Sequence, residues 1–370
     1  MGEAAVVALA RLTPPTPQRQ LDGSDRYTVA VTPQGTFTVD GRSFELDGAF
    51  HDTHVSEQVG LALQEGRAWT CVSYGPCGGG AEDAVFGGGL AEGAARQVFE
   101  AVRGEAEWAI SLSALYLYEE QISDLLNPLK RNLQVVASRG GGSYVKDLSD
   151  VFASDVEDML DLLQVAASSR SALQRDGYGH SLLTITVRQT WGDGTQRGSR
   201  LTFAQLGGSD MARAGKSETL SRINKGLTTL HSIVDELETG MTPEPAAYLR
   251  SNLTFLLRDA LAGNTKATVI VNVRSEGERE AGPAAAAEEV ANALQFGERV
   301  RLVQNSPIMD ERKDVGQLEA EIREVCDELL SHRKYINTLE MQLVDVGSMA
   351  PSMPSGRTVA PCAKDIDICE

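Results

Sequence analysis

The chain has 370 residues, 42% of them hydrophobic, a formal net charge of −18 and a pI near 4.8. This length and apolar content suffice for one large domain with an appendage, and the acidic balance argues against a general nucleic-acid role, since phosphate contacts require clustered Lys and Arg. Five cysteines without a CxxC pair, no N-terminal signal segment and no apolar run of membrane length predict a soluble protein of a reducing intracellular compartment.

Hydrophobic periodicity predicts strands and helices that alternate along the first 302 residues. The predicted strands are Ala4–Arg11, Tyr27–Thr32, Thr36–Val39, Phe44–Phe50, Trp69–Tyr74, Trp108–Tyr118, Leu133–Val136, Tyr144–Lys146, Ser181–Arg188, Leu201–Leu206 and Ala267–Val273. The predicted helices are Val55–Glu65, Leu90–Val102, Glu119–Leu126, Asp155–Leu163, Thr219–Leu237, Leu253–Leu261 and Glu289–Leu302. Ser168–Gly179 is predicted to be a polar loop. This mixture indicates a layered α/β domain.

A glycine-rich stretch, Ser73–Asp83, follows one of the predicted strands. Gly75 and Gly80 have the spacing of the two glycines in a phosphate-binding loop, in which backbone N–H groups face phosphate oxygens. The next two positions of such a loop are Lys and Ser or Thr, but here they are Ala81 and Glu82. A nucleoside triphosphate would lose the attraction of the lysine ammonium and would be repelled by the Glu82 carboxylate. A glycine-rich surface turn is the alternative interpretation.

Metal ligands are sparse in the sequence. His51 and His54 stand three residues apart, but no other ligand types gather near them, so no metal site is predicted.

Six stretches, taken in order, resemble the kinesin motor domain family. They are Tyr116–Pro128, Gly207–Asp210, Ile223–Leu230, Tyr248–Asn264, Ala267–Val273 and Ala291–Arg301. The match from Tyr248 to Asn264 is the most specific. The resemblance covers residues 4–303 and implies a P-loop NTPase-like α/β fold with a central, mainly parallel eight-stranded sheet between helices.

The resemblance also implies where a nucleotide would lie and which residues have changed there. The implied nucleotide-site positions are Arg11, Tyr74, Gly75, Gly78, Gly80, Ala81, Glu82, His180, Gln205 and Gly208. Leu9 replaces an Arg of the first strand, the first switch is reduced to Asp176–His180, and Gln205 replaces a carboxylate of the second switch. Gly208 keeps the position that senses the γ-phosphate, and His180 is expected to be a structural hydrogen-bonding residue. Because phosphoryl transfer depends on positioning and electrostatics, these changes predict no ATPase activity and no cofactor.

A track-facing surface is implied by the same resemblance. Its candidate residues are Arg213, Lys216, Arg222, Lys225, Tyr248 and Arg250. The segment Met211–Arg250 is neutral overall, and its first four cations point in scattered directions around a helix. Leu249, Asn252 and Phe255 stand where the family brings basic residues to tubulin. We therefore expect at most weak microtubule binding, with ordinary solvated helix faces as the alternative.

The last 67 positions predict a stalk. Residues 304–313 resemble a neck linker, 314–346 show a coiled-coil repeat, and 347–370 are expected to be a disordered tail, after a motor domain over 1–303. The apolar seam positions are Val315, Leu318, Ile322, Val325, Leu329, Ile336, Leu339, Leu343 and Val346, with His332 at a d position. The repeat predicts a coiled-coil partner, either a second copy or another kinesin chain. One amphipathic helix folded back on the domain is the alternative.

Together these features predict a kinesin-like pseudo-motor of the cytoplasmic cytoskeleton, with a non-catalytic head on a dimerising stalk. One alternative is an active microtubule motor with unusual catalytic residues, which alone would require ATP and Mg²⁺. Another is a non-catalytic protein-binding module. No nucleic acid or membrane partner is expected.

Overall fold

The computed structural model describes most of the first 312 residues. The described residues are 6–13, 26–32, 35–76, 79–81, 84–86, 89–103, 107–138, 142–173, 179–190, 196–208, 224–278, 285–307, 310–312, 329, 332–333 and 336. The chain divides into two compact units, Met1–Arg312 and Lys313–Glu370. The predictions for Gly78, Glu82, Arg213, Lys216 and Arg222 fall outside the described residues.

The first unit contains eighteen strands and seven α-helices within its described residues. The strands are β1 Val7–Thr13, β2 Arg26–Thr28, β3 Ala30–Val31, β4 Thr36–Val39, β5 Arg42–Glu45, β6 Gly48–Ala49, β7 Ala68–Tyr74, β8 Glu107–Tyr118, β9 Gln121–Asp124, β10 Arg131–Leu133, β11 Val135–Ala137, β12 Ser143–Val145, β13 Val151–Ala153, β14 His180–Thr190, β15 Gln196–Gln205, β16 Lys266–Arg274, β17 Glu276–Glu278 and β18 Asp310–Arg312. The helices are α1 Asp52–Glu65, α2 Leu90–Ala101, α3 Val156–Leu173, α4 Lys225–Glu238, α5 Pro245–Tyr248, α6 Asn252–Leu256 and α7 Ala285–Val300, with a 3₁₀ turn at Arg258–Ala260.

The central sheet differs from the predicted mainly parallel, eight-stranded one. It has eleven strands in the order β10-β9-β8-β14-β15-β7-β16-β1-β6, with β13 paired to β8 and β18 to β15. Pairing is parallel among β15, β7, β16, β1 and β6 and antiparallel elsewhere. The correction has a simple cause: short links join β8 to β9 and β14 to β15, and short links force neighbouring strands to run antiparallel.

Two apolar layers cover the sheet. One core contains side chains of α1, α2 and α3, including Val59 and Met159, and the other contains side chains of α4, α6 and α7, including Ile233 and Leu294. Strand β7 contributes to both, because alternate residues of a strand point to opposite faces. This is the layered α/β arrangement that the sequence predicted.

The predicted helix over Glu119–Leu126 is wrong. The segment instead turns at Glu119 and Glu120, whose φ angles are 45° and 66°, and returns as strand β9 against β8. Positive φ at both central residues is the geometry of a two-residue hairpin whose twist matches the strands. The Glu120 carboxylate accepts hydrogen bonds from Ser251 Oγ at 2.7 Å and from the Asn252 amide at 2.6 Å, which holds the turn against the start of α6.

Several other boundaries also differ from the predictions. Helix α3 continues to Leu173, so the first six residues of the predicted Ser168–Gly179 loop are helical. The predicted strand Phe44–Phe50 is divided into β5 and β6, and Thr219–Leu237 is described as helical only from Lys225. Residues predicted as a neck linker include β18, which pairs with Gln196–Gly198.

The second unit is described at four positions only. Leu329, His332, Arg333 and Ile336 are α-helical, and the side chains of Leu329 and Ile336 are exposed. The coiled coil therefore stays a prediction.

Candidate functional site

The glycine-rich loop follows β7 at the sheet edge where four neighbouring parallel strands end. Its backbone is pressed against β16 and β1: a Cβ on Gly75 would clash with the Asn272 carbonyl oxygen. A Cβ on Gly79 would lie 2.8 Å from the same oxygen, and one on Gly80 would lie 2.8 Å from Thr13 Cγ2. Gly80 also has φ of 93°, which disfavours any residue with a side chain. The structure therefore requires glycine at these three positions.

Hydrogen bonds fix the strand end that carries the loop. Asn272 Nδ2 donates to Ser73 Oγ at 3.0 Å and to the Tyr74 carbonyl at 3.2 Å, and Ser73 Oγ donates to the Ala81 carbonyl at 3.2 Å. Asn272 and Ser73 are fully buried, so loss of either would leave partners unsatisfied at a cost of about 1–3 kcal/mol. Asn272 was not among the predicted site residues, although a polar residue inside an otherwise apolar strand is a visible signal.

Gln205 and His180, from the two predicted switch segments, also lie at this edge. Gln205, at the end of β15, accepts a hydrogen bond through Oε1 from the Val85 amide at 3.1 Å. His180, the first residue of β14, accepts one through Nδ1 from the Gly207 amide at 3.0 Å. Burial lowers the pKa of His180 to about 4, so the ring is neutral at pH 7. The expected structural role of His180 is consistent with this geometry, and Gly208 lies buried next to Gly207.

His180 makes folding stability depend on pH. Its pKa is lowered in the folded chain to about 4 from 6.5, so the stability it confers is present above pH 6.5 and is lost as pH falls toward 4. We expect wild type to lose about 2 kcal/mol from this group between pH 7 and pH 5. Urea unfolding at both pH values measures this loss. The slope of stability against pH should be shallower in His180→Asn than in wild type, whereas His51→Asn, at an exposed site, should keep the wild-type slope. An unchanged slope in His180→Asn would contradict the assignment.

Tyr74 does not face the loop as predicted. Its ring is fully buried, its hydroxyl is 2.9 Å from His231 Nε2, and its ring centroid lies 4.7 Å from that of Phe296. The reason is strand alternation, which points Tyr74 toward α4 and α7. The side chain of Arg11, another predicted site residue, extends over the Phe50 ring, with 5.8 Å between its guanidinium carbon and the ring centroid.

A buried arginine near the loop was missed. Arg170 is 6% exposed, and its guanidinium carbon lies 5.5 Å from the centroid of Phe86, in the segment that follows the loop. The sequence placed Arg170 in a polar loop. The spacing of Met159, Leu163, Ala166 and Arg170 by four, three and four residues is helical, and this pattern could have identified it as facing inward.

The predicted track-facing residues separate into exposed and buried ones. Lys225 and Arg250 are exposed, as is Leu249. Tyr248 is buried and donates its hydroxyl to the Leu261 carbonyl at 3.1 Å, so its prediction as a surface contact is wrong. Its ring fills the space beside the 3₁₀ turn, and burial raises the pKa of the hydroxyl.

The described residues near the loop do not fit a protein-held Mg²⁺. Such ions in phosphate-transfer sites use one or two carboxylates together with phosphate oxygens. Gln205 has an amide in place of a carboxylate, and its oxygen accepts from Val85. Within the ranges that the structure describes, no three His, Cys, Asp or Glu side chains cluster as a metal site. This part of the site therefore offers amide groups to a ligand.

The fold and this edge define the chain as a P-loop-type α/β domain, and comparison with known proteins gives the family. The kinesin motor domain model matches residues 27–303, so the chain belongs to the kinesin motor domain family. Kinesin-related protein 5 of Dictyostelium discoideum is 27% identical over 362 residues, covering 88% of this chain and 36% of the relative. The kinesin heavy chain of Gibberella moniliformis is 26% identical over 370 residues, covering 93% of this chain and 39% of the relative. The chain thus spans little more than a third of these relatives.

One solved structure supports the same fold. It is described as that of a fast kinesin, with implications for ATPase mechanism and interactions with microtubules. It aligns with a TM-score of 0.72 at 23% identity, covering 84% of this chain and 95% of that chain. The kinesin motor fold predicted from the sequence is therefore confirmed.

The prediction that the chain is not an enzyme is wrong. The match to the motor domain family runs through the glycine loop and both switch segments, including Ala81, His180 and Gln205. These residues therefore belong to a motor domain that retains the family's overall pattern, and their identities are not grounds for excluding catalysis.

Among the described helices, none has the length and apolarity needed to cross a bilayer.

Proposed function

We propose that this chain is the motor head of a kinesin that binds and hydrolyses ATP and acts on microtubules. Membership of the motor domain family supports the proposal. The single observation that carries it is the glycine loop, in which Gly75, Gly79 and Gly80 leave no room for a Cβ. A backbone held this close to β16 and β1 keeps the frame of a phosphate-binding loop.

The residues present would act chiefly by binding and positioning ATP. Loop amides are the groups that such a frame directs toward phosphate oxygens. Gln205 holds the Val85 amide, and His180 holds Gly207 beside Gly208, so two segments around the loop are tied to strand ends. Ala81 supplies no charge, which predicts weaker nucleotide binding than a loop with lysine would give.

Equilibrium titration with a fluorescent ATP analogue tests this step. We expect saturable binding that unlabelled ATP displaces, and an affinity that changes less than tenfold when Mg²⁺ is chelated, because Gln205 offers an amide where a carboxylate would hold the ion. Inorganic phosphate is the control for nonspecific anion binding. Absence of displaceable binding at millimolar ATP would contradict the proposal.

We propose further that the head works on the microtubule cytoskeleton. Lys225 and Arg250 are exposed and available for an acidic filament, although Leu249 replaces a basic residue of the family's pattern. Surface cations of this kind contribute little individually and are screened by salt. Binding should therefore be weak and should fall as salt concentration rises.

The stalk over residues 314–346 is proposed to dimerise as a coiled coil, with a second copy or another kinesin chain. Apolar residues recur there at intervals of three and four, and two of them, Leu329 and Ile336, are helical and exposed. Sedimentation equilibrium of the full chain should give about twice 39.7 kDa. The Leu329→Lys, Ile336→Lys variant should sediment as a monomer. A monomeric wild-type chain, or a variant that still dimerises, would contradict self-pairing.

A further inference from the structure

The last residue of β7 is joined to helix α4 by a partly buried polar contact. Tyr74 directly precedes Gly75 of the glycine loop, and its hydroxyl lies 2.9 Å from Nε2 of His231 in the middle of α4. Either atom can donate in this hydrogen bond. This side-chain pair therefore connects β7 to α4.

Aromatic packing holds this pair in one arrangement. The Phe296 ring of α7 lies 4.7 Å from both the Tyr74 and the His231 ring centroids, and it is stacked on His231 at 26°. Beyond His231, Arg299 of α7 forms ion pairs with Asp235 and Glu238, so α4 and α7 are fixed to each other at this level. If α4 and α7 moved together relative to the sheet, the ion pairs between the helices would be kept and the Tyr74–His231 contact would be strained, because Tyr74 belongs to the sheet.

The loop end of the contact is equally constrained. The Tyr74 carbonyl accepts from Asn272, and Gly75 is packed against the Asn272 backbone. A shift of the Tyr74 side chain would therefore be transmitted to the loop backbone, which has no space to absorb it. Burial is the main cause that lowers the pKa of His231 to about 4. The Asp235 carboxylate raises this pKa and the Arg299 guanidinium lowers it, and the ring is neutral at pH 7.

We propose that His231 is a positioning residue that couples the glycine loop to helix α4 through Tyr74. Nucleotide in the loop alters α4 by this contact, and a change in α4 alters the loop. The inference rests on the proposed function, because it assumes a nucleotide in the loop. It assigns the coupling to one hydrogen bond that residue patterns do not predict.

Hydrogen–deuterium exchange of the full chain, with and without a saturating ATP analogue, tests the coupling. In wild type we expect slower exchange in peptides covering residues 68–81 and at least a twofold rate change in peptides covering 225–238. His231→Phe keeps the stacking on Phe296 but removes the hydrogen bond. It should retain the loop response and lose the α4 response.

Two further variants complete the test. Tyr74→Phe removes only the hydroxyl at the other end of the hydrogen bond and should also abolish the α4 response. Ser232→Ala is the matched control, because Ser232 is exposed on the same helix and donates to the Thr228 carbonyl of its own helix. It should respond as wild type does. Thermal midpoints of the variants, measured alongside, identify any that fail to fold.

The outcomes separate the two proposals. A wild-type loop that shows no protection overturns the proposed function, and the coupling with it. A protected loop without an α4 response, or an α4 response that is unchanged in His231→Phe, overturns the coupling alone. Equal loss of loop and α4 responses in a folded His231→Phe variant shows a merely structural residue and also overturns the coupling.

Discussion

The Ala81→Lys, Glu82→Thr variant is expected to bind ATP at least tenfold more tightly than the wild-type chain. The change adds one cation and removes one anion at the loop. A charge pair at about 4 Å contributes up to about 4 kcal/mol at an effective dielectric of about 20, and each 1.4 kcal/mol is about tenfold in affinity. Even if each of the two changes contributed only a third of that upper value, the combined gain in affinity would exceed tenfold. Titration with the fluorescent ATP analogue measures it.

The control for this variant separates charge from packing. Ala81 is fully buried, so a longer side chain there must be accommodated by the surrounding residues. Ala81→Met, of similar length without charge, should leave the affinity within about threefold of wild type if charge is the cause. Unchanged affinity in a folded Lys–Thr variant would contradict a phosphate site at this loop.

The second large effect is expected from Gly75→Ala. Its Cβ would clash with the Asn272 carbonyl oxygen, which is backbone and cannot turn away. Overpacking of this kind costs about 1–3 kcal/mol, and the shifted loop should bind the ATP analogue at least tenfold more weakly. Urea unfolding and the same titration measure the two effects.

Gly93→Ala is the matched control for this substitution. Gly93 is exposed in α2, and a Cβ there would meet no heavy atom within 4 Å. Alanine should stabilise the helix by about 0.5–1 kcal/mol and leave nucleotide binding unchanged. If Gly75→Ala behaved like Gly93→Ala, the loop would not be the rigid frame described above.

The sequence predicted the parts of the fold that depend on local patterns. Strand β7, helix α2 and the hairpin of β11 and β12 lie within a few residues of their predicted positions, because apolar periodicity and glycines determine them locally. Glu119 and Glu120 were misread because glutamate favours helices in general, whereas this turn depends on a carboxylate contact with Ser251, far away in the sequence.

The candidate site was predicted in position but not in detail. Glycine spacing identified the loop, and the family resemblance placed Gln205 and His180 near it. The side-chain direction of Tyr74 depends on strand register, and the burial of Arg170 depends on how far α3 extends. Neither is determined by local residue types. Substitutions at Ala81 and Glu82 predicted an inactive head, yet both residues lie inside the range that the kinesin motor domain model matches.

The most direct test of the motor assignment is phosphate release by the purified full chain, measured with and without polymerised microtubules. We predict measurable ATP turnover that rises at least severalfold when microtubules are added and falls again as salt concentration increases. Gly75→Ala, measured in parallel at the same subsaturating ATP concentration, should lower both rates at least tenfold. Turnover that is indistinguishable from that of Gly75→Ala, with and without filaments, would contradict the assignment.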